Sequence, residues 1–328
     1  MRVAVDVSPL LLSRAGTARY LGGLLPRLEA HPELEVRRLS WGGRGRATAV
    51  ARDALWYPLG LPRAARGADL LHCPTHRAPV GAGATPLVVT VYDLAVLRHP
   101  RAFNRWTRTY SRLAVPRVVR AAKRVIAISE FTKRELVERL RVPEERVRVV
   151  PLGHEPAFTP DGPAADGEYV LAVGTLEPRK NLPRLAEATR RLGLELRVVG
   201  ARGWGDVRVD GDGVRWLGEV GDEELAALYR GALCLAYPSL YEGFGIPVLE
   251  AMACGTPVVT SRDTPMEELA GGAAELVDPH DAAAIAGGIE RALARRDELA
   301  AAGRERAALY TWERAAAETV EVYREALA

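Results

Sequence analysis

Through the first 150 residues, short β-branched runs (RVAVDVS, PLVVTVYDL, RVIAIS, RVRVV) alternate with longer stretches of helical periodicity. A brief apolar run bounded by a helical pattern is the rhythm of a parallel sheet with crossover helices. Residues 151 to 167, PLGHEPAFTPDGPAADG, are dense in Pro, Gly and Asp and interrupt it as a linker does. The alternation then restarts with EYVLAVG, LPRLAEATRRL and LELRVVG, and runs on to GTPVVTS. The fold class is therefore α/β, with two doubly wound, Rossmann-like parallel-sheet domains over residues 1 to 155 and 165 to 310. Residues 311 to 328 form a final amphipathic helix, capped by Thr311 and carrying Ala317, Val320 and Tyr323 on one side. That helix is expected to pack across both domains. Parallel sheets bind ligands at the C-terminal ends of their strands, so two such domains are expected to face a central cleft that suits a nucleotide and a second substrate.

With 48% apolar and 27% charged residues the composition is that of a soluble protein, and no apolar run approaches the roughly 20 residues of a membrane span. The N-terminus alternates and carries Asp6, which suits a strand better than a signal peptide, so a cytoplasmic location is expected. Cys73, Cys234 and Cys254 are odd in number and widely spaced, reading as buried thiols rather than a metal site or disulfide framework. The net charge of +3 conceals a split, with 27 basic and 13 acidic side chains in residues 1 to 160 against 18 and 29 in the remainder. Residues 94 to 129 hold nine basic side chains and no acidic one, interleaved with Phe103, Trp106 and Tyr110. Such a stretch fits peripheral contact with an anionic membrane or a lipid phosphate, and equally a cationic helix face that serves solubility. Nucleic acid is not expected as a partner, because no binding motif accompanies the charge.

The most informative segment is ALCLAYPSLYEGFGIPVLEAMACGTPVVTS, residues 232 to 261. A buried strand ends near Tyr237, and the loop PSLYEGFG leads to a helix with Pro247 in its first turn and Gly255 at its stop. Gly243 and Gly245 let the backbone approach a ligand, and the free amides at the helix start favour hydroxyl or phosphate oxygens. Glu250, one turn into the helix, offers two acceptor oxygens to the paired hydroxyls of a ribose. Taken singly, Glu242 is also readable as a solvated loop charge and Glu250 as a helix N-terminal charge worth ~0.5 kcal/mol. In YVLAVGTLEPRKNLPRL, residues 169 to 185, Arg179 and Lys180 lie at a strand-to-helix turn, where two cations suit a pyrophosphate or simply face solvent. Asp210 and Asp212 match the spacing of a divalent-metal motif, but DGDG also reads as a plain turn before the strand VRWLG. His72, His76, His99 and His154 lie in or near loops expected from the sequence, without the spacing of a helical metal pair.

Together GTLEPRKN, EGFGIPVLEAMACGTPVV, WLGEVGDEELAALYRGA and WERAAAETVEVYREAL resemble family 4 of the retaining glycosyltransferases, especially its mannosyltransferase-like and rhamnosyltransferase-like members. The resemblance covers nearly the whole chain and implies the GT-B fold. It implies that Glu250 binds the donor ribose, that Glu242 lies beside the transferred sugar, and that Arg179 and Lys180 bind the diphosphate, with Thr175 in the same motif also at the donor. The amides around Gly243, Phe244 and Gly245 would meet the sugar, and the backbone from Gly218 to Val220 would border the base. In the N-terminal half, LSRAGTARYLGGLL resembles the family's glycine loop, placing Gly16 near donor phosphate or acceptor, and SEFTKREL from Ser129 also fits. Asp93 belongs to the implied catalytic set, although Tyr92-Asp93 stands where family members often carry His-Asp.

The activity implied is retaining transfer of a hexose from a nucleotide-diphosphate sugar to a glycan, lipid-linked or small-molecule acceptor. Attack and departure occur on one face, the donor phosphate helps deprotonate the acceptor, and no metal or other cofactor is required. A nucleotide-sugar epimerase and a non-catalytic nucleotide-sugar-binding protein are alternatives on the same fold.

Overall fold

The computed structural model describes residues 1–11, 16–43, 45–81, 83–100, 103–203 and 211–328. Two units share the chain, one comprising Met1–Gly153 with Trp312–Ala328 and the other His154–Thr311. The first is built on β1 (Arg2–Asp6), β2 (Glu35–Leu39), β3 (Leu70–Cys73), β4 (Leu87–Val91), β5 (Arg124–Ala127) and β6 (Val147–Val149), in the order β2-β1-β3-β4-β5-β6. The second is built on β7 (Tyr169–Val173), β8 (Glu195–Val199), β9 (Val214–Gly218), β10 (Cys234–Tyr237), β11 (Val258–Ser261) and β12 (Glu275–Val277), in the order β12-β11-β10-β7-β8-β9. Every described pairing is parallel, as the α/β rhythm of the sequence implies.

All residues of β4 (LVVTV) and β10 (CLAY) are buried, because a central parallel strand is covered on both faces and must be apolar throughout. At the edge of the first sheet, β2 (EVRRL) is largely exposed, and Arg38 there makes a two-pronged pair with Glu29 at 2.6 Å. In the second sheet the chain runs outward from β7 through β8 to β9, then returns and runs the other way from β10 to β12. The reversal lies between β7 and β10, where Cys234 and Leu235 pair with Val170 and Leu171. At such a point the connections diverge to opposite faces and leave a crevice beyond the carboxyl ends of the two strands.

The terminal helix, Trp312–Leu327, belongs to the first unit and buries Trp312, Ala316, Val320 and Tyr323. Ala317, expected from the sequence on this face, is exposed, because Trp312 sets the buried stripe and residue 317 falls outside its steps of three and four. The indole of Trp312 fills a notch above Gly23 in the helix Gly16–Glu29, where an added Cβ would lie only 2.1 Å from Trp312 Cε2. Further along, Tyr323 Oη bonds His72 Nδ1 at 2.7 Å, and His72 Nε2 bonds Thr90 Oγ1 at 2.9 Å. His72 is therefore a core residue of β3 and not a loop residue, and burial holds its imidazole neutral, with a pKa lowered to about 3. Arg124 and Arg148 both pair with Glu325 near the helix end.

Two adjacent glycines provide a test. Gly23→Ala should destabilise the protein by about 1–3 kcal/mol, since the indole of Trp312 has to move. Gly22→Ala, at an exposed position where a Cβ meets nothing within 4 Å, should be neutral or stabilising by about 0.5–1 kcal/mol. Thermal unfolding of both variants checks the pair, and equal melting temperatures would contradict the packing.

Candidate active site

The loops that follow β7 and β10 meet at the reversal of the second sheet. After β7 comes the turn Pro178–Lys180, closed by Asn181 in the left-handed conformation (φ 60°) before the helix Leu182–Arg191. Asn tolerates that conformation better than most side chains. Its buried amide Nδ2 donates to Pro238 O at 3.1 Å and Pro279 O at 2.6 Å, so one residue ties the turn to the ends of two other segments. Leu240 N donates to Arg179 O at 2.8 Å and completes the link to the loop after β10.

Glu242 lies in that loop, 8% exposed, and takes one cation on each carboxylate oxygen. Lys180 Nζ bonds Oε1 and Arg179 Nη1 bonds Oε2, both at 2.6 Å. Arg179 Nε also bonds Glu177 Oε2 at 2.7 Å, so two cations and two carboxylates balance in one cluster. Burial by itself pushes the Glu242 carboxyl up, but Lys180 and Arg179 outweigh it and hold the group at about 2. Burial lowers Lys180 from its ordinary value, opposed by Glu242. It acts the same way on Arg179, where the facing carboxylates outweigh it and raise the guanidinium. Tyr237 completes the group: its hydroxyl accepts a hydrogen bond from Lys180 and donates one to Glu242 Oε1 at 3.1 Å. Gly174, at the end of β7, leaves room for this packing, since a Cβ there would stand 3.0 Å from Lys180 Cε and φ is +147°.

From Glu242 the chain passes through buried Gly243 and Phe244 to Gly245, left-handed at φ 108°, and enters the helix Ile246–Ala253. The Phe244 ring meets Tyr310 edge-on at 5.9 Å. Glu250 points inward, 2% exposed, and its Oε2 accepts from Tyr229 Oη at 2.9 Å. Thus Arg179, Lys180, Glu242 and the glycine turn lie together beyond the carboxyl ends of β7 and β10, with Glu250 in the helix that follows, and the charge-balanced cluster offers N–H donors suited to an anionic, hydroxylated ligand.

Residues 25–158 match Glycosyltransferase Family 4, and residues 157–309 match Glycosyl transferases group 1. An O-antigen chain mannosyltransferase B of Escherichia coli is 32% identical over 265 residues, spanning 72% of this chain and 70% of its own. The chain belongs to the group 1, family 4 glycosyltransferases. A second relative of the glycosyltransferase, MMP α-(1→4)-mannosyltransferase of Mycolicibacterium hassiacum, is 32% identical across 65% of this chain and 56% of its own. Among solved structures, sucrose-phosphate synthase of Thermosynechococcus elongatus superposes with a TM-score of 0.73 at 24% identity, covering 99% of this chain and 98% of its own. The Anabaena protein HepE, solved with UDP and glucose, gives 0.73 at 18% identity over 99% of both chains. These likenesses establish the GT-B fold.

The remaining sequence-derived residues of the glycosyltransferase distribute as follows. Thr175 directly follows Gly174, and Gly218 ends β9 with φ +77° and accepts from Gly200 N at 2.7 Å, Val220 being two residues beyond it. Gly16 and Asp93 lie in the first unit, at the start of the helix Gly16–Glu29 and just after β4. Asp93 Oδ1 accepts from Ala95 N at 2.8 Å, which organises its own turn. Tyr92 sets its ring edge-on to Tyr20 at 5.5 Å, with its hydroxyl enclosed near Thr17. Asp212 sits in the exposed turn Gly211–Gly213 ahead of β9, whereas Asp210 lies outside the described residues. Among the described residues no helix is long and apolar enough to cross a membrane. The sequence reading missed Tyr237, Asn181 and Glu177 as members of the cluster. Their only signal was position, beside Lys180 or at the end of the strand preceding Glu242.

Because Glu242 is depressed from its ordinary 4.5 to about 2, it stabilises the fold fully above pH 4.5 and loses that contribution as pH falls toward 2. The contribution is on the order of 3 kcal/mol. Glu242→Gln should therefore be less stable than wild type at neutral pH, by a margin that stays constant above about pH 5.5 and narrows below pH 4.5. Urea unfolding of both proteins from pH 7 to pH 3 reads this, and a margin independent of pH would refute the charge assignment.

Proposed function

We propose that this glycosyltransferase moves a hexose, with retention of configuration, from a nucleotide-diphosphate sugar to a glycan, lipid-linked or small-molecule acceptor. The observation that carries the reading is the convergence of Arg179 and Lys180 on Glu242 at the reversal of the second sheet, in the loop that leads through the glycine turn to the helix carrying Glu250. In this reading the two cations receive the diphosphate and neutralise the charge that grows as the nucleotide leaves. Arg179 Nη2 and one N–H of Lys180 have no hydrogen-bond partner among the described residues, and these are the donors assigned to the phosphate oxygens. Glu250 takes the ribose hydroxyls, Glu242 and the amides of Gly243 to Gly245 face the sugar, and the backbone from Gly218 to Val220 borders the base, with Thr175 also at the donor. The acceptor hydroxyl attacks from the face that the phosphate leaves, and a departing phosphate oxygen takes its proton, so no metal or other cofactor is assigned. Gly16 and Asp93 are the contribution proposed for the first unit. Mannose is the favoured sugar because two relatives are mannosyltransferases, and the O-antigen relative favours a glycan acceptor.

A cytoplasmic, peripheral membrane location is proposed on the helix Arg105–Ala121, which exposes Trp106 and Leu113 beside exposed Arg105 and Arg112. An amphipathic aromatic flanked by arginines suits an anionic interface, each charge contributing about 1 kcal/mol near the surface.

Two experiments test these proposals. Nucleotide-sugar donors incubated with the protein and extracts of glycan and lipid acceptors should release nucleotide diphosphate at a rate that EDTA leaves unchanged. In the same assay Glu250→Ala should weaken donor binding by roughly 1.5–3 kcal/mol through lost ribose hydrogen bonds. Turnover abolished by EDTA and restored by manganese would overturn the metal-free reading, and unchanged donor affinity in the variant would remove Glu250 from the ribose. Separately, the protein should sediment with anionic and not neutral liposomes at low salt, and replacing Arg105, Arg108 and Arg112 by Glu should abolish this. Indifference of the wild type to anionic liposomes would defeat the membrane proposal.

A further inference from the structure

We propose that Tyr237 is a positioning residue for the donor diphosphate, acting through Lys180 and Glu242. The inference rests on the diphosphate role given to Lys180 above and deepens it. Tyr237 is the last residue of β10, 3% exposed, and its hydroxyl stands between the Lys180 ammonium and Glu242 Oε1. Burial, with the negative charge of Glu242 beside it, pushes the phenol well above its ordinary value, so the hydroxyl keeps its proton. The direction of each bond is then fixed: Lys180 donates to the phenol oxygen, and the phenol donates to Glu242 Oε1 at 3.1 Å.

An ammonium has three N–H donors. Those of Lys180 reach Glu242 Oε1 at 2.6 Å and Tyr237 Oη, which leaves one aimed elsewhere. Two fixed bonds define the direction of the third, so the phenol oxygen orients the donor assigned to the phosphate. The phenol also anchors Glu242, which would otherwise depend on the two cations alone once a diphosphate competes for them. The ring supplies a separate contact, with Lys180 Nζ 4.7 Å from its centroid.

Phenylalanine at 237 keeps the ring and removes only the oxygen. A buried ammonium then loses an acceptor that water cannot replace, which favours its neutral form. The charged groups facing Lys180 are Glu242, Arg179 and Glu177, and none of them changes in the substitution. Lysine occurs only at 123, 133 and 180, so a lysine 13Cε label gives three signals, of which one belongs to a buried side chain.

The test compares wild type with Tyr237→Phe in the full chain. Binding of inorganic pyrophosphate is measured calorimetrically against pH, and the lysine 13Cε titration is followed by NMR. Tyr237→Phe should fold with a modestly lowered melting temperature, since a buried ammonium loses an acceptor, bind pyrophosphate about tenfold more weakly, the equivalent of one hydrogen bond, and lose binding at lower pH on the alkaline side. The Lys180 signal should titrate at lower pH, while those of Lys123 and Lys133 stay put. Unchanged affinity, alkaline limb and Lys180 titration would reduce Tyr237 to a packing residue and overturn the proposal. Should Tyr237→Phe fail to fold, 3-fluorotyrosine placed at 237 keeps the shape and weakens the oxygen as an acceptor, and the same downward shift of Lys180 is expected. A wild type that binds pyrophosphate but transfers no sugar defeats the proposed function and leaves the role of Tyr237 in anion binding standing. A wild type that binds no pyrophosphate overturns both.

Discussion

The ion pair between Lys180 and Glu242 joins side chains 62 residues apart, which are neighbours only because β7 and β10 lie side by side. Neither charge is stable there alone: removing one partner of a buried pair typically costs 3–5 kcal/mol, since the other is left without water or counter-ion. The two loops therefore form together. Arg179 takes the second oxygen of Glu242, Asn181 holds the turn against Pro238 and Pro279, and Tyr237 bridges cation and carboxylate. The glycine turn and the helix carrying Glu250 follow directly from that loop, so their placement depends on the same cluster.

Where the cluster sits is a consequence of sheet topology. A parallel sheet that winds outward in both directions from its centre opens a crevice at the reversal, and β7 and β10 are the two strands that flank it. The first sheet reverses in the same way between β1 and β3. In that unit Trp312 lies against Gly23, and Tyr323, His72, Thr90 and Tyr20 form a continuous hydrogen-bonded line. The last helix of the chain thus completes the unit that its first residues began. Its packing combines buried aromatic area and satisfied hydroxyls with ion pairs from Arg124 and Arg148 to Glu325 near its end.

Much of the candidate site was legible because loop chemistry writes itself locally. EGFG with Glu250 behind it, and the RK pair at a strand-to-helix turn, are short patterns whose geometry is set within a few residues. Tyr237, Glu177 and Asn181 escaped because a tyrosine ending an apolar strand, a glutamate before a proline and an asparagine before a helix each have ordinary local explanations. Tyr92 gave an opposite lesson. It stands where family members often carry His, yet its ring lies edge-on to Tyr20 and its hydroxyl is enclosed by the fold. Ala317 and His72 were misplaced for a related reason, since the burial of a helix stripe or a strand residue depends on the partner packed against it.

The sequence by itself determined the alternation of strand and helix, its interruption over residues 151 to 167, the parallel sheets and the glycosyltransferase family, because periodicity, turn residues and motif spacing are properties of neighbouring positions. Only the tertiary structure decided that Glu242 pairs with both Arg179 and Lys180, that Tyr237 joins Lys180 to Glu242, and that the terminal helix joins the first unit through Trp312 and Tyr323. Those are contacts between residues far apart in the chain. Their geometry follows from which strands are adjacent and which side chains must share a space without water, and no local pattern encodes either.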